Sequence, residues 1–386
     1  MGGVMQIDVS PEIAEMRGTV RAFVKNELPA WANAVDETGI FPAGLIEAFA
    51  RQGFLGMRIA EEYGGAGLEL SHYCMVQEEI SRAHTMFSLL MSSSGGLAPM
   101  AIQRHGTEVQ KRKYLPLLTS GKARTSFALT ESEAGSDSAS IRTRAEPRSD
   151  GRWVLNGIKH FISCADVTDV IMVVTVTDPA KRSRGGFTTF LIERNTPGMQ
   201  VTRVDHTMGS AAWTLAELTF TDCVIESDAA VGPIGRGFNI AMESLNEGRL
   251  SIASICLGAA SQLLDLATAH ARQRRTFGAP LAERQAIQWM LADSATELFA
   301  GRSMLYTTLR ELSTGHDIGA GASMCKLYCS EMAGRVADRA IQIHGAGGLM
   351  RGSPIERSYR DLRLFRVGEG TSEVQRMVIA RDLLRS

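Results

Sequence analysis

The sequence carries no surplus of charge of either sign. Its 386 residues include 41 Lys and Arg against 42 Asp and Glu, so the formal net charge is -1. Proteins that bind nucleic acids or membrane surfaces usually need a basic excess. We therefore expect neither partner. Hydrophobic residues make up 44% of the chain and charged residues 22%, which excludes disorder as the main state and allows a large core.

Cysteine spacing that would indicate disulfides or a zinc ribbon is also missing. No CxxC occurs among the six cysteines, which are Cys74, Cys164, Cys223, Cys256, Cys325 and Cys329. The last two lie four residues apart on a predicted helix, but no histidine stands beside them, so core packing is favoured over a metal site. The N-terminus lacks a secretory pattern, and no apolar run approaches the ~18 residues of a membrane span. We expect a soluble, cytoplasmic protein.

The usual nucleotide-binding and hydrolase fingerprints are absent. The chain has no GxGxxG between a strand and a helix, no GxxxxGK[ST] and no GxSxG. The segment GPIGRG contains Gly232, Gly235 and Gly237, but their spacing does not fit a dinucleotide site. We interpret this segment as a hinge between domains.

Hydrophobic periodicity divides the chain into three parts. A first helical part has apolar residues at three- and four-residue spacing after Ser10, a position that could cap the first helix, with further helices predicted at 44–54, 70–84, 86–104 and 107–118. Short β-rich runs follow, with spacing typical of a barrel or sandwich, at 126–129, 152–163, 170–177, 186–193, 199–204 and 216–224. Long helices then return at 238–271, 281–313, 318–345, 353–366 and 371–385. We predict domains at 1–123, 124–236 and 237–386.

The segment FALTESEAGSDSAS, residues 127–140, leaves a predicted strand through Thr130 into a loop of small residues with Gly135 and Ser136. Its hydroxyl and backbone N–H groups could hold a phosphate or the edge of a flavin ring. An ordinary polar turn explains the local sequence equally simply, so this segment alone does not decide the function.

Three later motifs decide between these interpretations. Residues 270–280 read HARQRRTFGAP, residues 341–349 read IQIHGAGGL, and residues 360–376 read RDLRLFRVGEGTSEVQR. Together with LTESEAGSD, and in this order over almost the whole chain, they resemble the acyl-CoA dehydrogenase family. The resemblance implies an α+β fold with an N-terminal helical domain, a central β-barrel and a C-terminal domain like a four-helix bundle.

The resemblance also implies an FAD cofactor held without a Rossmann fold. The flavin and its phosphates would be lined by Phe127, Leu129, Thr130, Gly135 and Ser136, and the isoalloxazine would be covered from the barrel side by Phe161 and Ser163. Residues matching contacts to the FAD of a neighbouring subunit are Arg274, Thr276, Phe277 and Gln285. The adenosine and pyrophosphate end would meet Gln342, Gly345, Ala346 and Gly347, while Thr371 would lie beside the cofactor.

Glu369 matches the catalytic base of the family. It would remove the α-proton of an acyl-CoA thioester while the β-hydrogen passes as hydride to N5 of FAD, forming trans-2-enoyl-CoA. Burial beside the thioester would raise the basicity of a carboxylate there. Substrate contacts are implied for Ser136, Asn246, Arg249, Gly368 and Gly370.

Some relatives place the base instead on the long helix, and Gly248 occupies that position here. The neighbouring Glu247 is turned by about 100° on a helix, so we interpret it as a surface or supporting residue. Gly368 stands where many relatives have a bulky residue, which favours a short or branched acyl group. Trp213 either shapes acyl selection or fills the core.

The resemblance implies an electron-transferring flavoprotein as electron acceptor, a role in fatty acid breakdown, and a homotetramer. Two alternatives remain open at this point. One is an acyl-CoA oxidase that reoxidises its flavin with O2, which the short chain disfavours. The other is a flavin-binding scaffold or complex subunit without activity, which the presence of Glu369 disfavours.

Overall fold

The computed structural model describes residues 11–385, so the proposed Ser10 cap and the N-terminal segment lie outside the described residues. The first part of the chain is helical, as predicted. Its helices are α1 (Pro11–Asn26), α2 (Leu28–Thr38), α3 (Ala43–Arg51), α4 (Leu70–Ser81), α5 (Thr85–Gly95), α6 (Leu97–His105) and α7 (Glu108–Thr119).

Two features of these helices differ from the prediction. Helix α2 was not predicted; Pro29 lies in its first turn, Gly39 ends it with a φ of 67°, and it buries Leu28 and Val35. The single helix predicted at 86–104 is broken at Gly96, where φ is -99° and ψ is -132°. A Cβ on Gly96 would lie 2.5 Å from the carbonyl oxygen of Ser92, so the backbone can turn there only because the residue is glycine.

The middle part forms one curled sheet of seven strands. These are β1 (Thr125–Ala128), β2 (Arg144–Pro147), β3 (Trp153–Ser163), β4 (Val170–Val176), β5 (Phe187–Glu193), β6 (Met199–Asp205) and β7 (Leu215–Ile225). The strand order is β1-β4-β2-β3-β7-β6, and β5 pairs with β4. Strand β4 is buried along its whole length, because helices and strands cover both of its faces.

Six of the seven strands were predicted, each within a residue or so of its observed limits. The missing one, β2, has four residues and ends in Pro147, which disfavours a strand in sequence. Most pairs are antiparallel, but β1 runs parallel to β4, and β2 also meets β4 in parallel.

The last part consists of long helices. They are α8 (Gly237–Gln273), α9 (Gln285–Ser313), α10 (Gly319–His344), α11 (Pro354–Leu362) and α12 (Ser372–Leu383), with a two-stranded hairpin of β8 (Arg275–Thr276) and β9 (Ala279–Pro280) between α8 and α9. The predicted helix 353–366 ends as α11 at Leu362 and continues as a 3-10 turn, Arg363–Arg366.

The GPIGRG segment connects the sheet to α8 but is packed rather than free. Gly232 and Gly235 have positive φ angles of 71° and 87°. A Cβ on Gly237 would lie 2.5 Å from the carbonyl carbon of Thr188, so the first residue of α8 rests directly on β5. The predicted domain limit at 123 falls near the start of β1, and the limit at 236 falls at this connection. Both limits remain predictions.

One hydrophobic core joins the first and last parts of the chain. It contains Leu28 and Phe49 from the N-terminal helices together with Leu257, Ala333 and Phe365 from the C-terminal helices. Helices α4 and α8 cross closely, because Gly258 on α8 leaves no room for a Cβ against the backbone of α4. A separate core fills the curled sheet.

Two helical stretches, Thr85–His105 and Gly237–Gln273, are long and apolar enough to cross a membrane, contrary to the expectation from sequence. However, 83% and 78% of their most apolar windows are buried inside the protein, as in core helices. All six cysteines are free and buried, and Cys325 and Cys329 lie in the shared core.

Candidate active site

Glu369 lies in the short loop between the Arg363–Arg366 turn and helix α12. Its φ is 54°, a left-handed conformation that is uncommon for residues other than glycine, and Gly370 follows with a φ of 92°. Unusual backbone angles at non-glycine residues cluster at functional sites, where the surrounding structure holds them in place. The loop therefore needs anchors.

Two buried side chains anchor it. Lys326 on α10 donates from Nζ to the carbonyl oxygen of Gly370 at 2.7 Å. Gln375 on α12 donates from Nε2 to the carbonyl oxygens of Glu369 at 3.2 Å and Gly370 at 2.9 Å. Thr371 begins α12, with its hydroxyl accepting from the N–H of Val374. Thr371 therefore caps helix α12. This role is compatible with its predicted position beside FAD.

The carboxylate of Glu369 is buried without a hydrogen-bond partner on Oε2 among the described residues. Burial raises the pKa of this carboxyl from 4.5 to about 7, although the positive charges of Arg249 and Lys326 act in the opposite direction. A carboxylate whose pKa lies near neutrality is suited to accept a proton from carbon.

The space beside this carboxylate is left open by a glycine of α8. A Cβ on Gly248 would lie 2.3 Å from Oε2 of Glu369, so any side chain at position 248 would overlap the carboxylate. By contrast, a Cβ on Gly368 would meet only the carbonyl oxygen of Leu364, at 3.7 Å. Position 368 therefore tolerates a side chain that position 248 does not.

Two of the predicted substrate contacts lie together on α8. Arg249 donates from Nη1 to Oδ1 of Asn246 at 2.7 Å and to the hydroxyl of Ser323 at 3.4 Å, while its Nε is buried without a partner. Burial lowers the pKa of Arg249, and the negative charge of Glu369 raises it. The structure brings Asn246, Arg249 and Glu369 to one site.

Glu247 is not a surface residue. Its carboxylate pairs with Arg58 at 2.6 Å and with Arg104 at 2.5 Å, and it lines the same cavity as Glu369. Burial would raise the pKa of Glu247, but the two arginines lower it overall. Glu247 is therefore a paired, supporting charge and is poorly suited to act as a base.

The cavity beside Glu369 lies between helices α4, α5, α6 and α8. Sequence reasoning did not identify its wall residues Arg58, Tyr73, Ser92 and Ser251. The available signal was Arg58 itself, the one charge within the otherwise apolar run FLGMRIA, residues 54–60. A charged residue inside an apolar run is either exposed or placed for a purpose, and the side chain of Arg58 is only 6% exposed.

On the sheet side, strand β3 fastens the segment that leaves β1. Lys159 donates from Nζ to the carbonyl oxygen of Leu129 at 2.9 Å, and the N–H of His160 donates to the carbonyl oxygen of Thr130 at 2.9 Å. Glu131 closes the base of the loop by accepting from Nζ of Lys159 at 2.8 Å and from two backbone N–H groups. Gly135 and Ser136 are exposed at the tip of this loop.

An aromatic ring lies open next to this segment. Phe161 is 52% exposed, has a φ of 57° within β3, and stacks on the ring of His160 with centroids 3.9 Å apart. The carbonyl oxygen of Ser163 accepts from the hydroxyl of Ser126, and Phe127 is half-buried. An uncovered ring beside hydroxyl groups and a small-residue loop fits a bound flavin.

A second group of predicted cofactor residues lies at the far end of the long helices. Arg274, Phe277 and Gln285 are exposed on or beside the β8–β9 hairpin, with Phe277 99% exposed, and Thr276 is half-buried. Gln342, Gly345, Ala346 and Gly347 are exposed at the end of α10. The rings of His270 and His344, 4.3 Å apart, bring the two segments together. Their roles as cofactor contacts remain predictions.

Trp213 belongs to the core. It is 9% exposed and packs edge to face on Phe41, with ring centroids 6.4 Å apart. Of the two interpretations open in sequence, the structure supports core filling.

Family models match all three parts of the chain. They are the acyl-CoA dehydrogenase N-terminal domain at residues 10–122, the middle domain at 126–223 and the C-terminal domain at 235–384. The chain belongs to the acyl-CoA dehydrogenase family. It is accordingly an FAD-dependent oxidoreductase, and the absence of a Rossmann fingerprint is consistent with that cofactor in this fold.

Relatives in this family cover nearly the whole chain. An acyl-CoA dehydrogenase of Bacillus subtilis (strain 168) is 37% identical over 97% of this chain and 99% of its own. An acryloyl-CoA reductase (NADH) of Anaerotignum propionicum is 36% identical over 99% and 96%. Subunit CarC of the caffeyl-CoA reductase-Etf complex of Acetobacterium woodii is 35% identical over 96% and 97%.

Solved structures of the family have the same fold. Butyryl-CoA dehydrogenase from Megasphaera elsdenii superposes with a TM-score of 0.93 at 32% identity, covering 99% of this chain and all of that one. A glutaryl-coenzyme A dehydrogenase in complex with glutaryl-CoA superposes with a TM-score of 0.94 at 32% identity, covering 99% and 97%. These matches confirm the predicted fold class of helical, sheet and helical parts.

Proposed function

We propose that the protein dehydrogenates the Cα–Cβ bond of an acyl-CoA thioester, with Glu369 as the base that removes the α-proton. The observation that carries this proposal is the buried Oε2 of Glu369, which has no hydrogen-bond partner within residues 11–385 and whose carboxyl has a pKa raised to about 7. An unpartnered carboxylate in a cavity, with its pKa displaced by burial, is characteristic of a general base.

The surrounding residues suit the charge that develops when the α-proton leaves. The backbone N–H of Glu369 has no acceptor among the described residues, so it is free to donate to the thioester oxygen. Arg249 and Lys326 supply positive charge on the same side of the site. Bound FAD would supply the acceptor for the hydride that leaves the β-carbon. Phe127, Leu129, Thr130, Phe161 and the loop at Gly135 and Ser136 would hold it on the sheet side.

The decisive experiment is anaerobic mixing of the holoprotein with a panel of acyl-CoA thioesters while the flavin absorbance is followed. Bleaching by at least one of them supports dehydrogenation. If no acyl-CoA bleaches the flavin, the proposal fails and the protein acts as a flavin-binding scaffold. Repeating the experiment in air with peroxide detection distinguishes the dehydrogenase from an oxidase.

The reductase relatives make the opposite direction a second candidate. Acryloyl-CoA reductase and the caffeyl-CoA reductase subunit are each about a third identical to this chain, and the same base can return a proton to the α-carbon. Reoxidation of the dithionite-reduced flavin by enoyl-CoA, compared with bleaching by the matching acyl-CoA, measures which direction is faster. The caffeyl-CoA reductase relative is a subunit of a reductase-Etf complex. This supports an electron-transferring flavoprotein as a partner of this chain.

We further propose a homotetramer in the cytoplasm. Large apolar side chains are exposed on the hairpin and the last helices, including Phe277 at 99%, Trp289 at 60% and Met377 at 70%, which indicates a covered surface in the assembly. We expect Arg274→Ala to weaken FAD retention, and Arg272→Ala, an exposed arginine at the end of α8, to leave it unchanged. If light scattering showed a monomer and that monomer carried a full complement of FAD, the proposed assembly would be contradicted.

The acyl group itself is proposed to be short or branched. Gly248 and Gly368 add no side-chain bulk beside Glu369, and Tyr73 and Ser92 are among the residues that line the cavity there. The values of kcat/KM for butyryl-, isobutyryl-, octanoyl- and palmitoyl-CoA test this, and a maximum at palmitoyl-CoA would refute the short chain without affecting the dehydrogenase proposal.

A further inference from the structure

The β8–β9 hairpin has a strained turn. Its strands have two residues each, and Phe277 and Gly278 form the turn between them. Both turn residues have positive φ angles, 48° and 81°. A two-residue turn of this kind favours Asn, Asp or Gly at its first position, because larger side chains are strained in the left-handed region. A phenylalanine at the first position is therefore locally unfavourable.

The ring of Phe277 gains little packing in return for this strain. Phe277 is 99% exposed, although the guanidinium of Arg284 lies 5.9 Å from the centroid of its ring. An aromatic ring left in water forgoes the stabilisation that burial gives. Exposed aromatic side chains of this kind serve as anchors in protein interfaces. The hairpin is therefore suited to insert the ring of Phe277 into another protein surface.

Arg284, at the start of α9, holds this turn in shape. It donates from Nη2 to the carbonyl oxygens of Thr276 at 2.6 Å and Phe277 at 3.4 Å. At the base of the hairpin, the N–H of Leu281 donates to the carbonyl oxygen of Arg274 at 2.8 Å. A hairpin of this length is unstable by itself, so its shape depends on such contacts.

Arg284 occupies a position that its own helix disfavours. It is the N-cap residue of α9, where Ser, Thr, Asp and Asn are preferred and where a positive charge opposes the helix dipole. Its Nε is also buried without a hydrogen-bond partner among residues 11–385, which adds a desolvation cost. Positions 277 and 284 thus both carry residues that local stability disfavours. Conflicts of this kind are expected at functional positions.

We propose that Arg284 fixes the β8–β9 hairpin in the shape that inserts Phe277 into a second copy of this chain, where the hairpin helps to retain the FAD of that copy. Arg284 is then a positioning residue, because it acts through the hairpin. A second copy fits as the partner for two reasons. The adjoining first turns of α9 expose another aromatic ring, Trp289 at 60%, and the positive charges of Arg274 and Arg275 suit the pyrophosphate of FAD. This inference rests on the FAD cofactor and on the proposed assembly.

The first test measures FAD retention in the purified holoprotein. The release of FAD after dilution is followed by its fluorescence, and the oligomeric state by light scattering. Arg284→Met keeps the aliphatic stem but removes the donors to the hairpin carbonyls, so FAD should dissociate about ten- to hundredfold faster, as for the loss of hydrogen bonds from a charged group. Arg284→Lys keeps one positively charged donor group and should restore part of the retention. Arg310→Met removes an exposed arginine from the other end of α9 and should change nothing.

The second test asks in which subunit the hairpin acts. Ser136→Trp obstructs the predicted FAD loop of its own subunit and leaves the hairpin intact, whereas Arg284→Met leaves that loop intact. The two variants are co-expressed with different tags and purified as mixed pairs. In a two-fold pair the contributions are reciprocal, so about half of the FAD sites should combine an intact loop with an intact hairpin and recover slow release. No recovery would mean that Arg284 acts within its own subunit and would overturn the proposal.

Other outcomes would also contradict the proposal. They are release of FAD from Arg284→Met at the wild-type rate, equal acceleration in Arg310→Met, and a wild-type monomer that retains FAD. Should Arg284→Met fail to fold, Phe277→Asn takes its place, because asparagine suits the turn and removes the ring. FAD should again be released faster, and an unchanged rate would refute the insertion of Phe277.

None of these measurements uses an acyl-CoA. The role of Arg284 can therefore fail while dehydrogenation stands. Conversely, a holoprotein whose flavin is bleached by no thioester would refute the proposed function and leave the role of Arg284 in FAD retention intact.

Discussion

Glu369→Gln should make the protein more stable at alkaline pH while greatly slowing the reduction of its flavin by substrate. In the folded protein the pKa of Glu369 is raised from 4.5 to about 7, mainly by burial. Between these two values the folded state binds the proton more tightly than the unfolded state, so the stability of the wild type falls as the pH rises from 4.5 to 7. Glutamine cannot ionise and so avoids this loss.

The size of the effect follows from the change in pKa. A rise from 4.5 to about 7 corresponds to about 3 kcal/mol at most, reached above pH 7 and absent below pH 4.5. For a chain of 386 residues, this amounts to about 4 °C or less in the unfolding temperature. The same variant should lose the rate of flavin bleaching by about 10²- to 10⁴-fold, because an amide cannot accept the α-proton.

The assay is thermal unfolding of both holoproteins between pH 5 and pH 8.5, followed by circular dichroism. Glu373→Gln is the matched control, because Glu373 is an exposed carboxylate on α12 whose pKa is lowered by backbone N–H and Thr371 contacts. The difference between that variant and the wild type should have the opposite sign at high pH. A difference between Glu369→Gln and the wild type that does not change with pH would refute the reasoning, since it would mean that Glu369 is not held in a buried, proton-retaining environment.

Three further changes test the site. Arg249→Met removes a positive charge that lowers the pKa of Glu369, so the acid limb of the bleaching rate should move to higher pH, by about one unit in stopped-flow measurements. Gly248→Ala places a methyl group on the carboxylate and should slow bleaching by at least about tenfold, whereas Gly368→Ala should keep most of the rate; equal rates in the two variants would contradict the packing described. Thr371→Ala should lower stability by about 1 kcal/mol in denaturant unfolding and Thr371→Ser should restore it, as expected for a helix cap.

Hydrophobic periodicity and local motifs predicted most of the architecture, because long amphipathic helices and half-buried strands leave a repeating pattern in sequence. The errors have local physical causes. The break at Gly96 was missed because the apolar pattern continues across it, and only the contact with Ser92 shows that the backbone turns there. Strand β2 was missed because its pairing with β3 and β4 overrides the proline at its end.

The candidate site was likewise only partly predictable from the sequence. Glu369 was found through its motif, whereas Arg58 lies in no motif and meets Glu247 only through the tertiary fold. The rotation of one residue on α8 predicted that Glu247 would not act as the base. Helical geometry gives the direction of the Glu247 side chain but not the residues it meets. It therefore could not predict the ion pairs of Glu247 with Arg58 and Arg104. The predicted cofactor contacts remain predictions.

The core that joins the first and last helices has a consequence for biosynthesis. Helix α4 rests on α8, and the cluster that includes Phe49 is completed only by residues as late as Phe365. During translation, the apolar face of the N-terminal helices therefore stays exposed until nearly all of the chain has left the ribosome. The curled sheet has a core of its own and can fold earlier. Nascent chains halted before α10 should consequently recruit chaperones through their first helices and not through the sheet.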